Sequence, residues 1–214
     1  MKHSAPVLAA AFAAVLLAAP NAQADMSHSS MPPEGSAKVV ATDAAVRSLW
    51  VNHIFWVRNV VVATLAKRGD EAKVAEAEVV ANAHGIGDAI KPFYGDKAGD
   101  ALFELLAGHY GAVKAYLAAA ASSDKAGQDK ATADLLANAD KIADFLSGAN
   151  PNLPKDTVLG LLQAHGGHHI DQIQQLKAGQ YAEEAQTWAA MQEHMYVIAD
   201  ALTGAIAKQF PDKF

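Results

Sequence analysis

From about Ala37 onward the apolar residues recur three and four positions apart, and the residues between them are mostly Ala, Lys, Glu, Gln and Asp. That period belongs to helices with one buried face, and little in the chain alternates as a strand would. Leu49, His53, Val57 and Val60, for instance, form one such stripe. Gly, Pro and Asp fall where a stripe ends. The pattern predicts six helices, at roughly 37–67, 70–91, 98–121, 124–147, 155–177 and 181–209. Short breaks such as Arg68-Gly69-Asp70 and Ala178-Gly179-Gln180 predict tight antiparallel hairpins. The longer breaks, Lys91 to Gly95 and Gly148 to Pro154, are expected to separate one hairpin from the next.

The hairpins look alike. His53, His109 and His165 stand 56 residues apart, each four residues after a Leu, and Asp88, Asp144 and Asp200 keep the same step. Aligning 49–90 with 105–146 and 161–202 leaves five of 42 columns identical, those of Leu49, His53, Ala77, Ile86 and Asp88. One αα-hairpin cannot bury its own apolar face, so three must share a core. The expected fold class is all-α: an antiparallel bundle of about six helices built from three αα-hairpin pseudo-repeats of 56 residues, forming a single domain over 37–214.

Two of the five invariant columns, those of His53 and Asp88, are polar and fall on predicted core faces. Reflecting His53 about its turn lands near position 85, between His84 and Asp88. His109 faces Asn138, Asp140 and Asp144, and His165 faces His194, Tyr196 and Asp200. Each His–Asp pair can be a buried hydrogen-bonded staple that needs no ligand. Alternatively, each carboxylate takes the proton of one ring nitrogen and leaves the other aimed at a metal, with Asp88, Asp144 and Asp200 standing behind the ligands. Surplus imidazoles favour metal: His169 follows His165 by one turn, with His168 beside it, and His84 and His194 lie on the opposing helices. The Gly166-Gly167 pair, unfavourable inside a helix by about 1 kcal/mol per residue, suggests a close approach of backbone or ligand, or a helix crossing.

Composition narrows the setting. Met1-Lys2-His3, the apolar run to Leu17 and Ala22-Gln23-Ala24 predict a signal peptide over 1–24, and thus a periplasmic or secreted protein. No stretch offers roughly 20 uninterrupted apolar residues, so no membrane span is expected. Without Lys2 the balance is 16 basic against 23 acidic side chains, which disfavours nucleic acid as a partner. The chain has no Cys, which excludes thiolate metal sites, Cys nucleophiles and covalent c-type haem. Residues 25–36 read as a flexible leader, in which Met26, His28 and Met31 offer thioether and imidazole donors suited to copper. The Met/His leader resembles segments of periplasmic copper-handling proteins.

Enzyme signatures are sparse. There is no His-Glu-x-x-His, no Glu three residues before a His, no phosphate-binding Gly loop and no Gly-x-Ser-x-Gly. Glu183-Glu184 read as favourable charges at a helix start.

Leu49-Trp50-x-x-His53-x-x-Trp56-x-Arg58-Asn59, Ala89-Ile90-Lys91-Pro92-Phe93-Tyr94-Gly95, Asn138-Ala139-Asp140-x-Ile142-Ala143 and Lys208-Gln209-Phe210-Pro211-x-Lys213-Phe214 resemble those of small bacterial exported helical proteins of unestablished activity. Some of those carry a glycosyltransferase label in name only. The resemblance covers about 40–214 and brings no known catalytic or binding residue. A chain without strands or Asp-x-Asp does not suit that label. The expectation is an exported helical protein that binds a transition metal, copper in particular, or another small ligand, through histidines. A metal-free structural or interaction module and an enzyme using a buried His–Asp pair are the alternatives.

Overall fold

The structure, a computed structural model, describes residues 34–214. The expected signal peptide, its cleavage site and the donors Met26, His28 and Met31 lie outside the described residues. Six helices make up almost all of the rest: α1 (Glu34–Leu65), α2 (Gly69–Tyr94), α3 (Asp96–Ala121), α4 (Lys125–Ala149), α5 (Lys155–Ala178) and α6 (Tyr181–Gln209), followed by a single 3₁₀ turn at Pro211–Lys213. Among the described residues no helix is long and apolar enough to cross a membrane.

The local chemistry of the ends explains most of the boundaries. Asp124 caps α4 by accepting a hydrogen bond from the Gly127 N–H at 3.0 Å. Gly179 closes α5 in the left-handed conformation, φ +72°. Two expectations are corrected. Glu34 to Ser36 belong to α1 rather than to the leader. The break expected at Lys91–Gly95 shrinks to Gly95 alone, at φ +84°, because α2 runs through Pro92 to Tyr94. Proline removes one helical N–H but does not stop the following turn when that turn is held by packing. Here Phe93 stacks on Phe214 and Tyr94 meets Phe210 edge-on.

Each helix packs on the next, and α6 returns to α1, so the bundle closes into a ring. Helix α5 also touches α1 and α3 across the centre, which places the odd-numbered helices inside. Three hydrogen bonds tie the even helices to the odd ones at matching heights. Asn82 Nδ2 donates to the Leu49 carbonyl at 3.0 Å, Asn138 Nδ2 to Leu105 at 3.1 Å, and His194 Nε2 to Leu161 at 2.8 Å. Ion pairs then stitch one hairpin to another: Lys91 with Asp100, Lys155 with Asp140 and Asp144, and Arg47 with Asp200. The core has an apolar layer around Trp50, Ile54, Leu106 and Met195, and another around Val57, Val61, Val113 and Ile173. Between these layers the inner helices present histidine.

Candidate metal centre

The heights of His53 on α1, His109 on α3 and His165 on α5 coincide because the inner helices run parallel and are clamped at equivalent carbonyls one turn earlier. Their ring centroids form a nearly equilateral triangle, with sides of 6.2, 5.6 and 5.3 Å. His169, one turn further along α5, stands over it at 5.8, 6.1 and 4.4 Å from the other three. One nitrogen from each of the four rings lies within 4.8 Å of every other. All four residues are 3% exposed or less.

For a tetrahedral ion with bonds of about 2.0–2.1 Å, neighbouring nitrogens sit roughly 3.3 Å apart. The His165 and His169 Nε2 atoms are already at 3.1 Å. The other nitrogens, up to 4.8 Å apart, would close by as much as about 1.5 Å around an ion.

The hydrogen-bond inventory is the sharper observation. His53 Nε2, both ring nitrogens of His109 and His165 Nδ1 are buried and have no protein partner among the described residues. An unsatisfied buried polar atom costs about 1–3 kcal/mol. Four of them in one place would consume much of a domain stability of roughly 5–15 kcal/mol. Burial also decides the protonation state. It pushes His53 down to about 3, with the neighbouring His109 adding to the effect, and His109 down to about 4. His165 falls well below the ordinary imidazole value, first through burial and then through the nearby His169, His109 and His53, and His169 does so through burial and then His53, His109 and His168. Four neutral imidazoles, each with a lone pair, are the form that binds metal.

The aspartates are placed differently from the expectation. Asp88, Asp144 and Asp200 are exposed and pair with Lys91, Lys155 and Arg47 rather than with the histidines. Reflection about a turn gives the height of a residue on the partner helix but not the side it faces, and at this level Ala83 and Ile86 turn inward. The buried His–Asp staple therefore does not form. His84 is also outside the centre: it is exposed and stacks on Phe103, with ring centroids 3.6 Å apart. His194 binds the Leu161 carbonyl and faces His168, whose pKa is lowered by burial and by that neighbour.

One buried network went unforeseen. Glu184, expected as an exposed helix-start charge, is 2% exposed and accepts two hydrogen bonds from Arg58, at 2.6 and 2.8 Å, and one from Gln172 at 2.9 Å. The Arg58 bonds hold its carboxyl below the usual range. Gln172 follows His169 by three residues on α5, so this neutralised pair lies close to the centre along the helix. An apolar pocket at the other side is lined by Trp50, Ile90, Phe93 and Phe145, and none of the four histidines lines it.

Comparison with protein-family profiles, with curated proteins and with solved structures returns no match.

Proposed function

We propose that this protein is an exported metal-holding protein whose four core histidines bind one copper ion in the cuprous state. The observation that carries the reading is the convergence of four buried, neutral imidazoles, three of which, His53, His109 and His165, keep orphaned ring nitrogens. Four nitrogen donors in a closed site match sites that hold metal rather than catalytic ones, which keep a coordination position free. The charge state follows from burial. The cluster contains no carboxylate, and nearby Glu184 is already paired with Arg58, so the ion keeps its full charge in a dry core. Desolvation energy rises with the square of the charge, which favours a monovalent ion over a divalent one. Imidazole accepts copper readily. The leader donors Met26, His28 and Met31 and the export expected from residues 1–24 fit the same setting.

The architecture behind the site is read as three copies of one hairpin around a pseudo-threefold axis. The step of 56 residues relates His53, His109 and His165, and it also relates the clamps at Asn82, Asn138 and His194 and their acceptors at Leu49, Leu105 and Leu161. In this reading a tripod of equivalent histidines is completed by His169, whose counterparts are Val57 and Val113.

The test compares metal-free and copper-loaded protein by anaerobic denaturation, together with metal analysis of protein purified from the exported compartment. One equivalent of copper should stabilise the wild type, by about 2.7 kcal/mol once free copper exceeds Kd a hundredfold. His109→Leu should lower that gain by at least about 1.4 kcal/mol, the effect of a tenfold loss of affinity, yet leave the metal-free protein as stable as before or more stable by about 1–3 kcal/mol, since it removes two orphaned nitrogens. No uptake of copper by the wild type, with His109→Leu destabilising, would overturn the reading in favour of a structural cluster.

A further inference from the structure

His168 and His194 stand outside the four-histidine cluster and face each other between α5 and α6, with ring centroids 5.5 Å apart. Both are half-buried, so solvent reaches them, whereas the cluster beneath is closed. His194 donates its Nε2–H to the Leu161 carbonyl, which leaves the Nδ1 lone pair for another partner. The clamp itself does not require an imidazole: Asn82 and Asn138 make the same bond to Leu49 and Leu105 with an amide. At the positions corresponding to His168 the other hairpins carry Trp56 and Ala112. The third hairpin thus has an imidazole in two places where its sisters manage without one, and the two meet. His168 is bonded in sequence to His169 and lies three residues from His165, so one helix carries both the exposed and the buried donors.

We propose that His168 and His194 form a loading port, a second site that takes a cuprous ion from solvent and passes it to His165 and His169. The separation suits one ion held between two imidazoles at about 2.0–2.1 Å per bond. Transfer runs from two donors to four, which gives it a direction. The transfer role rests on the core reading above, whereas ion binding at the pair does not.

The experiment titrates metal-free protein anaerobically with acetonitrile-stabilised cuprous ion and follows loading by stopped flow, for the wild type and for His168→Ala with His194→Asn. Both replacements are residues that the other hairpins already use at those positions, and asparagine restores the clamp. The wild type should take up one tight and one weaker equivalent. The double variant should keep the tight equivalent and its thermal stabilisation, lose the weaker one, and load the core at least about tenfold more slowly. Retention of the weaker equivalent, or its loss with unchanged loading, overturns the port. If the wild type shows only the weaker equivalent and the variant loses it, the core reading falls and the two-histidine site stands. If the wild type binds neither, both fall.

Discussion

His169 stands 56 and 112 residues after Val113 and Val57, so on the pseudo-repeat reading proposed above its replacement by valine is a substitution the surroundings accept. His169→Val should fold, keep the His53, His109 and His165 tripod, and bind metal more weakly by at least about 1.4 kcal/mol, or tenfold. It should also open a coordination position. In cobalt-substituted protein, added azide should shift the visible spectrum of the variant and leave that of the wild type alone; an equal response from both would show that His169 is not a ligand. The tripod was legible in the spacing of 56 residues, and His169 in its single-turn offset from His165. The aspartates misled because a recurring spacing in the sequence does not give a side chain's partner, and all three pair with a surface cation, Lys91, Lys155 or Arg47. Glu184 was not legible at all. Nothing local separates it from Glu183, and its partner Arg58 is 126 residues away.

The helices were the most legible elements, since their apolar period is long and repeated, and the expected α6 agrees with the observed span at both ends. Boundaries failed where a tertiary contact outweighs a local signal. Pro92 reads as a stop, but the C-terminal aromatic residues Phe210 and Phe214 hold the turn after it, and the Lys213 ammonium lies 5.1 Å from the centre of the Phe210 ring. The Gly166-Gly167 pair divides into two cases. A methyl at Gly166 would come within 3.0 Å of Leu135 Cδ2, so this glycine serves the crossing of α5 and α4. Gly167 has open space, and packing gives no reason for it. The clamps from Asn82 and Asn138 were visible only as polar residues opposite a histidine; the backbone carbonyl as acceptor could not be read from side-chain chemistry.

The molecule as a whole should be sensitive to acid when metal-free. An unfolded histidine takes up a proton near 6.5, whereas in the folded state burial holds His53 at about 3 and His109 at about 4, with His165 and His169 also well below the ordinary value. Between those values the unfolded chain binds more protons, so stability falls as pH drops, by about 1.4 kcal/mol per histidine per unit. Above about 6.5 the histidines contribute no slope. Urea denaturation from pH 8 to 4 should show this loss in metal-free protein, and copper should move its onset to lower pH; a flat profile would mean that the rings are not buried in solution. The closed ring of helices has a different kind of consequence. Arg47 of α1 meets Asp200 of α6, which brings the start of the first helix and the end of the last to the same side of the molecule. Chain order is then separable from spatial order: a circular permutant opened at Gly95, with a short Gly/Ser bridge from Phe214 to Glu34, has the same neighbours throughout. It should melt cooperatively and bind copper with unchanged stoichiometry, because in a closed ring of six helices none is first.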